Sequence, residues 1–465
     1  MTLKDLSKTR ASLPSVHSTR SLWHSEPSAR LLGHRTTAEL PAEADVVVVG
    51  SGITGAFAAR ELVKGGKGVV MLEAREACWG ATGRNGGHCQ PGVWNSSPSV
   101  ARFELATHDM LAKLVAEEGI ACDWDEVGGV HALLTAAELE AARTQVRRLQ
   151  GEADLRGKAV LVEDREELRE LRVGEAMVGA VLQKVAATCW PYKLVAAVLE
   201  SLLDTDGMNL QTGTPVLGLK RTGASWIVQT DRGAVSAHDV VLATNGYTSY
   251  LVPAMADLIV PVQGQVCALR PPADDTERLK HSHSWLPTAS DDYLMQRPGT
   301  KGLLILGGER CSVPGGRVGV SHDDDVDAVI GNRLRRAMAQ AMKLRPRGSG
   351  PEKDVLDAEA EWSGVMGYSR DGHPWVGAVP RRFLLVDEER NDSSAGLWIC
   401  AGYSGHGMPV AARCAVAVAH MLLGMETSAA VVVPDEFVVS EERAERARAL
   451  ALPESRVDVA RMPVS

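Results

Sequence analysis

Three glycines in the run Gly50-Ser51-Gly52-Ile53-Thr54-Gly55 are spaced as a turn that brings backbone amides against paired phosphates. Gly50 makes the tight exit from a strand. Gly52 lets the backbone approach a pyrophosphate with no Cβ in the way, and Gly55 lets the following helix lie close on the sheet. Amide N–H groups and the positive end of that helix then face the negative charge. About 20 residues on, Glu73 ends the next strand, where a carboxylate accepts both hydroxyls of an adenosine ribose that carries no 2'-phosphate. The glycines alone are a weak signal. Following a strand, opening a helix and being answered by Glu73 make a dinucleotide site the expectation, and FAD and NAD both satisfy it.

Two further runs carry chemistry. Trp79-Gly80-Ala81-Thr82-Gly83-Arg84-Asn85-Gly86-Gly87-His88 has small residues against which a flat ring can lie, and its Arg84 and Asn85 can meet phosphate or carbonyl oxygens. Taken alone it reads equally well as a flexible loop. Gly402-Tyr403-Ser404-Gly405-His406-Gly407-Met408 leads into an apolar helix, so its amides form a positive helix end; an ordinary Gly-rich helix start is the alternative.

These runs need a parallel sheet to hold them. Residues 45–49 and 69–73 read as short buried strands around a helix over Ile53–Lys64, one βαβ unit in about 30 residues. Strands are also expected at 238–246 and 396–402, with a long apolar helix over 409–423. Between them lie amphipathic helices at Ala136–Leu149 and 165–172 and hairpin-like strands at 260–269 and 293–307, which would build a second, discontinuous domain. Gly348-Ser349-Gly350-Pro351 reads as a linker, Asp323-Asp324-Asp325 with Asp327 as a solvated helix start, and 440–450 as a charged tail helix.

A chain of 465 residues exceeds what one core usually organises, so two domains are expected. The net charge of -9 and the lack of basic runs interleaved with aromatics argue against nucleic acid as a partner. The longest apolar stretch, 409–424, is interrupted by Arg413 and His420, so no membrane span is expected. Eight cysteines without a C-x-x-C pair, and the absence of zinc or calcium spacing, point to free thiols, no metal and a cytoplasmic location. The Ser-rich, basic stretch 7–25 faintly resembles a transit peptide but reads better as a polar N-terminal arm.

Residues 44–55, 72–88, 243–247, 362–377 and 396–409 together resemble the D-amino-acid-oxidase-type FAD-dependent oxidoreductases, and within them γ-glutamylputrescine oxidoreductase-like proteins. The resemblance spans residues 23–423. It implies an α/β fold: a GR2-type FAD/NAD(P)-binding Rossmann-like domain interleaved with an antiparallel-sheet substrate domain. The expected layout is an arm over 1–40, FAD-binding segments at 41–98, 186–248 and 355–424, substrate segments at 99–185 and 249–354, and a tail over 425–465. By matching position, Gly50, Ser51, Gly52, Thr54, Gly55, Glu73 and Arg75 should hold the adenosine diphosphate of FAD, with Val216 offering backbone to adenine. Thr82, Gly83, Arg84, Asn85, Gly86, Gly87 and His88 should line the ring and ribityl chain. Gly402, Ser404, Gly405, His406, Gly407 and Met408 should face the pyrimidine end, where reduced flavin carries negative charge.

The implied reaction is oxidation of a small-molecule amine. Hydride passes from the carbon beside nitrogen to flavin N5, the imine hydrolyses, and O2 or another acceptor reoxidises the flavin. Relatives that oxidise α-amino acids carry a carboxylate-gripping arginine, and covalent relatives a flavin-binding cysteine, in the slot held here by Met366. Pro409 stands where the covalent branch has a lysine. Arg297 is the expected substrate anchor, weighed evenly against a surface ion pair, and His88 a candidate contact to flavin or substrate. Tyr247, Tyr293 and Tyr368 either wall the cavity or fill the core, and His373 and His406 are further candidates. FAD chemistry on a non-amine biosynthetic intermediate, and a non-catalytic flavin-binding assembly factor, are the competing readings.

Overall fold

A computed structural model describes residues 10–451 apart from 273–276, 286–291, 299–301, 338–340, 346–351, 385–395 and 427–429, so the expected linker lies outside the described residues. The four consecutive valines Val46 to Val49 set the architecture. Alternate side chains of a strand point to opposite faces, so a run apolar at every position must be covered on both. Val46 and Val48 pack in one core with the helices Ile53–Lys64, Pro191–Leu202 and Ala411–Leu422. Val47 and Val49 pack in another, with Trp226, Val228 and Val235 of an antiparallel meander. Burying four valines this completely contributes on the order of 6 kcal/mol or more.

The strand Glu43–Val49 is central, parallel to Val69–Leu72 on one side and Gly233–Leu242 on the other. Met208–Gln211 extends the parallel set beyond Val69–Leu72, and Leu397–Ala401 joins Gly233–Leu242. Val216–Thr222 and Ser225–Thr230 complete the meander. This is the doubly wound, Rossmann-like half of the fold.

The second sheet has eight strands, in the order Ala358–Ser369, Ile259–Leu269, Leu304–Gly307, Asp292–Gln296, Ser282–Trp285, Gly129–Leu133, Gly179–Gln183 and Ala159–Val162. All pairs are antiparallel except Ser282–Trp285 with Gly129–Leu133. Ala358–Ser369 runs the full length of Ile259–Leu269. The chain therefore rejoins the first sheet only at Trp375–Ala378, later than the expected 355. Among the described residues no helix is long and apolar enough to cross a membrane.

Two segments depart from expectation, while the tail helix forms where the sequence places it. The N-terminal segment is no loose arm: Trp23 and His24 are fully buried, Trp23 Nε1 donates to the Asn85 carbonyl (2.6 Å), and His24 stacks on Trp79 (3.8 Å, 5°). The tail helix Glu441–Arg448 is docked through Arg443, whose guanidinium lies 3.8 Å from the Trp375 ring centroid and pairs with Asp371 at 2.8 Å. The acidic cluster also divides. Asp327 does cap the helix Ala328–Leu334, whereas Asp323 is fully buried between two arginines. Arg75 Nη1 donates to both its oxygens (2.9 and 3.0 Å), Arg84 Nε lies 3.2 Å away, and the Asp323 carbonyl accepts from Thr19 N (2.7 Å). Asp323 thus joins the two loops beside the Gly-rich turn through its carboxylate and the N-terminal strap, residues 10–24, through its backbone carbonyl, while Arg84 reaches the second sheet at the Ser363 carbonyl.

Asp323→Asn leaves two buried guanidinium groups without a counter-charge. It should lower unfolding stability by about 3–5 kcal/mol, read as a shifted denaturant midpoint at unchanged slope. A midpoint equal to that of the parent would show that this carboxylate carries no structural weight.

Candidate active site

The Gly-rich turn is as crowded as its spacing implies. Gly50 has φ +103°, and a Cβ there would stand 2.7 Å from the Ala243 carbonyl oxygen. A Cβ on Gly55 would stand 1.9 Å from the Gly50 carbonyl oxygen, so the helix can lie this close only without one. Gly52 caps the helix with no side-chain hydrogen bond, and Ile53 N donates to Thr82 Oγ1 (3.1 Å). Glu73 is buried beside the turn: Oε2 accepts from Ser51 N (3.0 Å) and Ser51 Oγ (2.6 Å), and Oε1 from Arg75 N (2.9 Å). An open glycine cradle, a helix N-terminus and a carboxylate at the second strand's end fit the adenosine diphosphate of a dinucleotide.

That turn opens on a cavity of about 590 Å³ that reaches from the first sheet to the second. Gly50, Ser51, Gly52, Thr54, Glu73 and Val216 line one end. The loop contributes Thr82, Arg84, Asn85, Gly86 and His88, and the C-terminal turn Ser404 through Met408. Gly55, Gly83, Gly87 and Gly402 do not line it; they permit close packing, a Gly83 Cβ for instance meeting the Cys78 carbonyl oxygen at 2.2 Å. Thr54 Oγ1 is paired with Tyr403 Oη at 2.8 Å.

Arg75 and Arg84 are directed at protein, whereas Arg310 lines the cavity 5.0 Å from the Tyr368 ring centroid. Arg84 donates to the carbonyls of Trp79 (2.9 Å), Ser363 (2.9 Å) and Thr19 (2.6 Å) and to Ser18 Oγ (2.7 Å); burial lowers its pKa to about 10, with Asp323 opposing. Arg75 lines the cavity while held by Asp323 and the Trp79 carbonyl. Arg297 is outside the cavity: it pairs with Asp123 (2.9 Å) and lies 4.3 Å from the Trp190 ring centroid, so the expected substrate anchor gives way to the ion-pair alternative. The reason is register: Asp292 and Tyr293 of its strand reach the cavity, and Arg297 falls beyond the strand's end.

The far half is built by His88, Met366 and residues from several distant segments. His88 packs on Tyr293 (5.3 Å between ring centroids). Burial lowers its pKa to about 4 despite a hydrogen bond to the Leu294 backbone, and among the described residues Nε2 has no partner. Met366, Tyr247, Tyr293, Tyr368 and His373 all line the cavity, and the Tyr247 hydroxyl is also buried with no partner among the described residues. His131, absent from the sequence reading, meets Gln90 (2.6 Å) and Ser284 (2.9 Å); burial, with His406 and His88 nearby, lowers its pKa to about 4. Glu104, also unforeseen, is buried against His406 Nε2 (2.8 Å). Ser12, Leu13 and Pro14 of the strap close one wall. His131, Glu104 and the strap residues share no motif with the glycine runs, so no spacing signal could have found them.

Residues 45–421 match the family described as FAD dependent oxidoreductase (DAO). The chain is 26% identical over 402 residues to "Probable oxidoreductase OrdL" of Rhizobium meliloti (strain 1021), covering 83% of this chain and 84% of that one. It is 25% identical over 382 residues to "Gamma-glutamylputrescine oxidoreductase" of Escherichia coli (strain K12), covering 76% and 86%. The fold superposes on glycine oxidase from Geobacillus kaustophilus with a TM-score of 0.68 at 21% identity, covering 86% of this chain and 99% of that one.

The buried histidines make stability depend on acid. In the unfolded chain each takes a proton below about pH 6.5, whereas folded His88 and His131 do so only near 4. Between those values the unfolded state binds more protons, so stability falls as pH drops, by up to about 1.4 kcal/mol per unit for each group. The denaturant midpoint should decline from about pH 6.5 to 5, above most carboxylate titration. The His88→Asn, His131→Asn double variant should reduce that decline by about half, since burial also lowers the pKa of His24 and His283 to about 3 and they still contribute. An unchanged slope in the double variant would refute the assignment.

Proposed function

Because this chain belongs to the FAD dependent oxidoreductase family, and is therefore an FAD-dependent enzyme, we propose that it oxidises a C–N bond of a small amine. The names of its relatives support a nitrogen compound, since one acts as a glycine oxidase and another as a γ-glutamylputrescine oxidoreductase. The observation that carries the reading is the neutral Nε2 of His88, without a partner among the described residues, in the cavity that begins at the glycine cradle.

In this reading Gly50, Ser51, Gly52, Glu73 and Val216 would hold the adenosine diphosphate of FAD. Gly86, His88 and the turn Ser404 to Met408 would surround the ring. When bound there, FAD would supply the two-electron acceptor for the carbon beside nitrogen, with O2 or another acceptor as the final oxidant. The protein's part is to present the amine as its free base. A buried imidazole kept uncharged offers an acceptor lone pair to an amine N–H, and its low-dielectric surroundings disfavour ammonium. Met366 adds no charge where it faces the cavity: its Sδ would lie 3.5 Å from a Gly405 Cβ and 3.6 Å from a Gly264 Cβ. That apolar thioether does not favour a substrate carboxylate at this point.

FAD-loaded protein mixed anaerobically with a panel of amines should lose its yellow absorption, and matched alcohols should leave it unchanged. His88→Asn should slow the bleaching about tenfold or more while FAD stays bound. Bleaching by alcohols and by no amine would replace this reading with C–O oxidation.

A further inference from the structure

Beside the turn Ser404 to Met408 the cavity carries a carboxylate. Glu104, in the helix Pro98–Glu118, is 3% exposed yet lines the cavity. Its Oε2 accepts from Gly92 N and from His406 Nε2 (2.8 Å); Oε1 has no partner among the described residues, and no lysine or arginine there forms an ion pair with it. Two more oxygens lie beside Gly92, grouped with Glu104 Oε2, the oxygen that already accepts two hydrogen bonds. Around the position a Gly92 Cβ would occupy lie Ser96 Oγ at 2.9 Å, Asn95 Oδ1 at 3.0 Å and Glu104 Oε2 at 3.4 Å. Asn95 and Ser96 both line the cavity, and neither side chain has a hydrogen-bond partner among the described residues.

A buried carboxylate with an unused oxygen is costly unless something positive completes it. An ammonium presents three N–H donors to such a group of acceptors. The nitrogen that reacts is a poor candidate for this place, because an adjacent carboxylate favours its protonated form and C–N oxidation needs the free base. We infer that Glu104, Asn95 and Ser96, gathered around Gly92, form a subsite for a second, permanently protonated nitrogen of the amine substrate. Gly92 is the fourth residue after His88, a span of at most about 14 Å, within reach of a short aliphatic chain. This rests on the C–N reading above and narrows it to amines carrying a distal cation.

The probe is a diamine with both nitrogens on tertiary carbons, which binds but has no hydrogen to give up beside nitrogen, compared with the monoamine of the same carbon skeleton. Titrated into FAD-loaded protein and followed by perturbation of the flavin spectrum, the diamine should bind at least about tenfold more tightly. Glu104→Gln should abolish the difference, and Glu104→Asp, which keeps the charge, should retain part of it. Equal affinity for the two probes, or a preference that survives in Glu104→Gln with FAD bound, would overturn the subsite. Turnover separates the two readings. If oxidisable amines bleach the flavin without regard to a distal cation, the subsite fails and C–N oxidation stands; if the diamine probe is preferred yet no amine bleaches the flavin, C–N oxidation fails.

Discussion

Burying a guanidinium away from water costs several kcal/mol, and this fold buries two of them beside its glycine cradle. Asp323 makes that arrangement tolerable by facing both Arg75 and Arg84, while the remaining Arg84 donors are taken up by carbonyls of the strap, the loop and the second sheet. Ion pairs of this kind are weak evidence for stability, since apolar packing could replace them. What they supply is geometry. A guanidinium with every donor committed cannot slide, so the loop from Thr82 to His88 is held against the second sheet at one distance. The cavity between the sheets inherits its width from that distance.

A loop pinned by backbone carbonyls has to be thin, and this explains why its glycines differ in purpose. Gly86 leaves room for the Tyr293 ring, since a Cβ there would meet Cε2 at 1.9 Å. Gly83 and Gly87 let the loop pass under His24 and beside Cys189, facing away from the cavity. The run that reads as a surface for a flat ring is therefore in part a surface for the protein's own side chains.

The first sheet was legible because its signals are local. Four consecutive valines, a glycine turn and a terminal glutamate each demand a particular neighbour within about 30 residues. The roles of Asp323, Glu104 and His131 were not legible, because each depends on segments far apart in sequence that tertiary packing brings together. A run of three aspartates reads as a solvated helix start, and nothing in it tells Asp323, which is buried, from Asp324, which is not. Arg297 was misplaced for a related reason: alternation along a strand says which residues share a face, but not where the strand stops. The N-terminal segment looked polar because its contacts run through backbone carbonyls and two aromatic rings, which composition does not weigh.

The charge pattern of the cavity follows from the same packing. Near the loop, burial strips His88 and His131 of their protons, so that region is polar without being charged. At the start of the helix Pro98–Glu118, Glu104 keeps an unshared oxygen, and the two arginines close to the glycine cradle share the one carboxylate of Asp323. A molecule spanning the cavity would meet an uncharged acceptor first and a carboxylate further on. Such a gradient sorts two nitrogens of one substrate by protonation state: the carboxylate stabilises the charged one, and the neutral, dry region favours the other as a free base. Selectivity for a doubly basic substrate and readiness for oxidation at one of its nitrogens then have one electrostatic cause.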